Sequence, residues 1–179
     1  MIRRGDINDV ALLQQIGRTT FDDTFGNTCT KEDMRGVLDL FFNSAQVALE
    51  LQDESDNFFF FEQDGIAKGY LRINAKHACP LDSFQNRKSI ELVRLYILKE
   101  FHGLGVANEL MNFALDFARN NGFDLMYLSV WEYNFRYPYT WQNTDGGDTH
   151  PNYLGYKIIA NKIYELLKKY DNNSSSNIK

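Results

Sequence analysis

The residues with the clearest chemical potential lie in one run. Leu95-Tyr96-Ile97-Leu98 is followed by a short link, Lys99-Glu100-Phe101, and then by His102-Gly103-Leu104-Gly105-Val106-Ala107. The run reads as an apolar strand, a glycine-rich turn and a helix from about Val106 to Asn120. Glycine lets backbone N–H groups converge with no Cβ in the way. The first turn of a helix leaves its N–H groups unpaired, and the helix dipole adds partial positive charge there. A diphosphate suits such a place. The spacing is not the G-x-x-x-x-G-K-S/T of nucleoside triphosphatases. Nor is it G-x-G-x-x-G with an acidic residue at the dinucleotide spacing. On the glycines alone, a plain helix start with two turn glycines stays open.

The flanking residues narrow the reading. Helix residues Glu109-Leu110-Met111-Asn112-Phe113-Ala114-Leu115 follow the turn, Asn121-Gly122-Phe123-Asp124 stops them, and a strand Leu125-Met126-Tyr127-Leu128-Ser129-Val130-Trp131-Glu132 comes next. From Glu91 to Glu132 the chain resembles the GCN5-related N-acetyltransferases (GNAT), whose acetyl-CoA loop reads Gln/Arg-x-x-Gly-x-Gly/Ala after a strand. His102 stands where the family has Gln or Arg. The ending Val-Trp-Glu-x-Asn, with Thr20-Phe21 and Thr24-Phe25 near the start, is similar to the PaiA-type polyamine N-acetyltransferases. The resemblance covers residues 1–134.

It implies an α/β domain of the GNAT fold, a mixed twisted sheet flanked by helices, with acetyl-CoA as co-substrate and a primary amine as acceptor. A polyamine is the narrower expectation. It also implies that the strands before and after the glycine-turn helix run parallel and splay apart, so that the pantetheine arm pairs between them. Leu95, Tyr96, Ile97, His102, Gly103, Leu104, Gly105, Val106, Ala107 and Asn134 would then hold the coenzyme. A backbone N–H near Tyr96 and Ile97 would stabilise the oxyanion. The amine must lose a proton, and Glu91 or Glu132 can act as general base, Glu91 through water and with help from burial. Many members carry this Glu two residues later, where the chain has Val93. A surface carboxylate at a strand start is the plainer reading of Glu91, and a strand-end charge that of Glu132. Asp22, Asp23, Glu32 and Asp33 either hold distal ammonium groups or are solvated helix faces.

After Asn134 the pattern departs. Family members continue into a helix that holds CoA and supplies a Tyr to protonate the thiolate. Here Pro138 opposes a helix interior and Trp141, with no titratable proton, takes the place of the Tyr. Tyr137, Tyr139 and Tyr153 are the available substitutes. Asp148 to Ala160, around His150, locally resembles the last block of SGNH hydrolases. No Gly-Asp-Ser block supplies a nucleophile, since Gly5-Asp6 is followed by Ile7, and an esterase needs one. The same stretch can be aligned as a displaced Gly-Tyr strand start, or as a recombined end. The alternative to an enzyme is therefore a catalytically weak or inactive acyl-CoA-binding protein of the same fold.

Composition sets the outer limits. At 179 residues, 44% hydrophobic and 15% aromatic, the chain suits one globular domain. Residues 1–170 are read as that domain, with 135–170 its atypical end and 171–179 a disordered tail. A net charge of −5 disfavours nucleic acid and mildly favours a cationic small substrate. No stretch approaches the ~18 apolar residues of a membrane span, and Met1 to Asp6 carries no apolar signal region. Two cysteines, Cys29 and Cys79, make no disulfide framework, so reduced thiols in a cytoplasm are the simple expectation. No metal-ligand spacing appears. The sequence allows a homodimer.

The elements that must position the glycine turn follow from local signals. Ile2-Arg3 reads as a short strand. Asn8 or Asp9 caps a helix through about Thr20, and Thr30 with Asp33 caps a second through about Phe42. Residues 57–62, with four successive Phe, read as a buried strand rather than an aromatic binding surface. Asp64-Gly65 is a hairpin turn leading to a strand from Ile66 to Ile73, with Gly69 a candidate bulge. A polar loop over 76–88 leads to a strand from Ile90 to Leu98. Strict alternation there puts Glu91, Val93, Leu95 and Ile97 on one face. Asn152 caps a last helix to about Lys169.

Overall fold

The fold is that of a computed structural model, and the described residues are 1–27, 30–76 and 78–128. Five strands form one sheet in sequential order: β1 (Ile2–Arg4), β2 (Asp56–Gln63), β3 (Ile66–Asn74), β4 (Ser89–Ile97) and β5 (Leu125–Leu128). β1 to β4 pair antiparallel. β4 and β5 are parallel, as a crossover through a helix requires. The expected mixed sheet flanked by helices is the one observed.

Local chemistry explains most of these elements. Asp64 and Gly65 both have positive φ, 55° and 76°, and Gln63 pairs with Ile66 across them. That is the two-residue turn whose twist suits a hairpin. The Phe run alternates. Phe58 and Phe60 enter the layer beneath the first helices, and Phe59 packs on the opposite face against Phe113 and Phe117.

Helix α1 (Val10–Phe25) runs five residues beyond the expected end at Thr20. The threonines do not break it, because their hydroxyls donate back to helix carbonyls: Thr20 to Ile16 and Thr24 to Thr20, both at 2.7 Å. Its start also differs. Asp6 caps a 3-10 turn, Ile7–Asp9, ahead of the helix, while the Asp9 carboxylate is taken by Arg3 at 2.7 and 2.8 Å. Helix α2 (Lys31–Phe41) has the expected cap, with the Thr30 hydroxyl accepting from the Asp33 N–H. Helix α3 (Ser44–Gln52), capped by Asn43, was not anticipated.

α1 and α3 cover one face of the sheet, and α2 packs on α1 through Met34, Leu38 and Phe42. Helix α4 (Val106–Asn120) covers the other face with Val106, Leu110, Ala114 and Ala118. No described helix is long and apolar enough to cross a membrane.

Two register shifts shape the end of the sheet that matters. Phe61 faces Gly69 but Glu62 faces Ala67, so Lys68 is the extra residue, beside the glycine expected to bulge. A Cβ on Gly69 would collide with the Tyr96 carbonyl, which is how β4 comes so close there. The second shift overturns an expectation. Arg72 faces Arg94 while Ile73 faces Leu92, so Val93 is an extra residue in β4. One inserted residue reverses the alternation. Glu91 therefore shares its face with Arg94 and Tyr96, not with Leu95 and Ile97, which lie with Leu92 on the α4 side.

Candidate functional site

At the end of β4, main-chain groups face away from β3. Leu98 donates its N–H to the Lys68 carbonyl at 3.0 Å. Antiparallel alternation then turns the Tyr96 and Arg94 main-chain groups toward β3, and those of Leu95 and Ile97 the opposite way. Pairing with β5 runs from Ser89–Leu125 to Leu92–Leu128 in the described residues, and the Val93 bulge comes directly after it.

A 3-10 turn, Lys99–Phe101, then carries the chain into the glycines. Gly103 and Gly105 have φ of 77° and 84°. A Cβ at either would meet no atom within 4 Å. The left-handed backbone, not crowding, is therefore what calls for glycine. Gly105 occupies the N-cap of α4 and contributes no side-chain cap. The first bond of the helix runs from the Glu109 N–H to the Gly105 carbonyl, 3.1 Å. The N–H groups of Val106, Ala107 and Asn108 lie ahead of that ladder with no intrahelical acceptor.

These groups open on a pocket of about 580 Å³ with two walls. One is the turn: Phe101, His102, Gly103, Gly105, Val106, Ala107 and Asn108, joined by Leu95 and Ile97. The other is the end of α1, with Thr20, Phe21, Thr24 and Phe25, meeting Tyr96. No carboxylate stands in this described lining, as an anionic ligand requires. Of the residues expected around the coenzyme, Leu95, Tyr96, Ile97, His102, Gly103, Gly105, Val106 and Ala107 are brought together here. Leu104 is not, being 66% exposed. Asn134 and Glu132 lie outside the described residues, as do His150, Trp141, the tyrosines Tyr137, Tyr139 and Tyr153, and the helix and tail expected after Asn152.

His102 does something the sequence did not suggest. Its Nε2 is 2.9 Å from the Ile97 carbonyl oxygen, tying the glycine turn back to the strand end. Among the α1 residues, the signal was noted as a family resemblance but not as a pocket wall. Thr20-Phe21 and Thr24-Phe25 repeat at four residues, which stacks like on like along one helix face.

Glu91 does not line the pocket. It pairs in register with Tyr127 and lies near Cys79, whose thiol is pushed up by burial first and by the Glu91 charge besides. Four residues of strand separate it from Leu95, about 13 Å, so a proton taken by Glu91 must travel through water. Asp22 and Asp23 face a separate groove of about 730 Å³, which Arg18, Lys31, Arg35 and Lys99 also line. Glu32 and Asp33 line neither cavity.

Tyr96 is held on three sides. Its ring meets Tyr70 edge-on at 5.4 Å and Phe42 at 6.4 Å, and Arg94, stacked on Phe42, is anchored by two hydrogen bonds to Glu50. Burial raises the Tyr96 phenol above its ordinary range, with Arg94 opposing the shift.

Comparison with known proteins agrees with this geometry. The family model described as the acetyltransferase (GNAT) family matches residues 20–136. An uncharacterized N-acetyltransferase from Lactobacillus delbrueckii subsp. lactis is 32% identical over 123 residues, 66% of this chain and 68% of that protein. Among solved structures, the PaiA N-acetyltransferase from Thermoplasma acidophilum, in complex with coenzyme A, superposes with a TM-score of 0.63 at 17% identity, covering 83% of this chain and 94% of that one. A GCN5-related N-acetyltransferase from Ralstonia eutropha gives 0.62 at 16% identity, covering 83% and 97%. At such identities the two structures speak for the fold.

Proposed function

The chain belongs to the acetyltransferase (GNAT) family, and on that premise we propose that it moves an acetyl group from acetyl-CoA to a primary amine. One observation carries the reading: main-chain donors at a glycine turn with no intrahelical acceptor, beside a strand end with backbone groups facing away from β3, line one pocket free of described carboxylates. The residues fit the group. Gly105, Val106, Ala107 and Asn108 would hold a diphosphate at the start of α4. Leu95 and Ile97 offer the backbone edge against which an amide-containing arm can pair.

Acetyl-CoA, when bound, supplies an acyl carbon activated as a thioester. The chain's own residues do the rest. The Ile97 N–H faces away from β3 and can donate to an oxygen gaining negative charge. Its carbonyl, occupied by His102, does not oppose that charge. Glu91 through water, or Glu132, takes the proton the amine must lose. No covalent enzyme intermediate is required.

The polyamine expectation gathers no support from the described lining, because Asp22 and Asp23 open into a groove where cations outnumber them. The described lining supports a primary amine as acceptor and nothing narrower.

The test is a thermal melt with acetyl-CoA, followed by thiol release with a panel of amines. Binding to the native state alone raises stability by about 2.7 kcal/mol at a hundredfold excess over Kd, so a clear rise in Tm is expected. No shift at millimolar ligand overturns the proposal. A shift with no thiol release from any amine leaves a coenzyme-binding protein without transfer.

A further inference from the structure

We infer that His102 is a positioning residue for the transfer step. Its ring, seated on the Ile97 carbonyl, fixes the strand end that presents the Ile97 N–H to the thioester, and couples that end to the diphosphate cradle. The inference rests on the acetyl-transfer reading and adds the side chain that sets its geometry.

Two hydrogen bonds meet at one peptide unit. The unit joining Ile97 to Leu98 donates its N–H to the Lys68 carbonyl at 3.0 Å, and its carbonyl lies 2.9 Å from His102 Nε2. Lys68 is the extra residue of the β3 bulge, and its ammonium sits 4.9 Å from the centre of the Phe101 ring. The bulge thus holds the start of the turn from one side, and His102 holds it from the other. The peptide unit before this one carries the Tyr96 carbonyl, pressed close to Gly69, and on its opposite side the Ile97 N–H. Between two held units Ile97 has little room to turn, so its N–H keeps one direction.

His102 is also the last side chain before the glycines. Gly103 and Gly105 have positive φ and open space around them, and Leu104 between them is exposed. The backbone bonds of the turn run from Phe101 to Leu98, His102 to Lys99 and Leu104 to Phe101, closing it on itself. Among the described residues, the His102 ring is what returns the turn to the last residue of β4 by a hydrogen bond. A carbonyl oxygen only accepts, so the ring nitrogen facing it carries its proton. That N–H also offsets the carbonyl's partial negative charge beside the place where an oxyanion forms. A neutral amide N–H there would serve as well, which separates positioning from proton transfer.

The test compares wild type, His102→Ala and His102→Gln in thiol release with the most reactive amine of the panel, beside acetyl-CoA titrations read by Tm. His102 is exposed, so without ligand all three should melt alike. His102→Ala should lower kcat by about tenfold or more. Its affinity for acetyl-CoA should change by less than about threefold, because the cradle N–H groups belong to Gly105 through Asn108. His102→Gln, which keeps a donor and loses the imidazole, should recover kcat to within about threefold of wild type. Full kcat in His102→Ala overturns the inference. So does a loss confined to acetyl-CoA affinity, which makes His102 a phosphate contact, or a kcat that Gln fails to recover, which makes it a proton carrier. Each of these leaves acetyl transfer standing. A wild type that releases no thiol with any amine defeats the acetyl-transfer reading, and this inference with it.

Discussion

Beneath α3, Glu50, Asp56, Arg72 and Arg94 find one another, whereas at the end of β4 the donors of the glycine turn face an open pocket. Arg72 bonds Glu50 at 2.8 Å and Asp56 at 2.6 Å, Arg94 bonds Glu50 at 2.6 Å, and Asn74 donates to Asp56 at 2.7 Å. Two cations meet two anions, and all four side chains are at most 13% exposed. The turn has the reverse arrangement, with Val106, Ala107 and Asn108 N–H groups ahead of the helix ladder and Gly105 giving no cap. Satisfied polar groups in a dry interior hold α3 to the sheet. Unsatisfied ones at a cavity rim keep binding energy in reserve for a ligand. A substitution should therefore damage stability in one region and ligand affinity in the other.

The largest effect belongs to the network. Glu50→Ala leaves two buried guanidinium groups short of an acceptor and should cost about 3–5 kcal/mol, read from denaturant unfolding. A loss below about 1 kcal/mol would mean that the pairing is no better than a surface contact.

Gly105→Glu comes next. It strains a φ of 84° and brings a negative side chain to the anion cradle. The acetyl-CoA-induced rise in Tm, about 2.7 kcal/mol of linkage at a hundredfold excess, should vanish. A retained shift would break the contrast between the two regions.

Glu91→Gln separates binding from proton transfer. A kcat lowered by about a hundredfold, with the KM for acetyl-CoA unchanged, is expected if Glu91 serves through water. If Glu132→Gln alone lowers kcat, the base is Glu132.

The smallest effect is in the N-terminal pair. Hydrogen bonds from Arg3 chiefly hold the Asp9 carboxylate below its ordinary range. A depressed folded-state value stabilises the fold above the unfolded value, about pH 3.9, and that stability fades as the pH falls. Asp9→Asn should therefore be less stable than the wild type at pH 7, and the two should converge in acid. A gap that persists in acid would point to packing instead.

What the sequence disclosed follows the range of the forces involved. The Asp64-Gly65 hairpin, the Thr30 cap and the glycine turn are set by neighbours a few residues apart, and each stands where expected. Helix α3 was hidden because its pattern is inverted. Glu50 points inward to two arginines, and Leu49 is 63% exposed. The Val93 bulge has no local signal, since it arises from how β4 fits both β3 and β5, and it reversed the face of Glu91. The second wall of the pocket needed α1 to pass Thr20, which depends on hydroxyls bonding back to the helix.

Crystals grown with coenzyme A test the central claim most directly. The account predicts diphosphate oxygens within hydrogen-bonding distance of the N–H groups from Gly105 to Asn108, with the thiol arm running beside Leu95 and Ile97. A coenzyme lodged elsewhere, with those N–H groups facing only water, would contradict it.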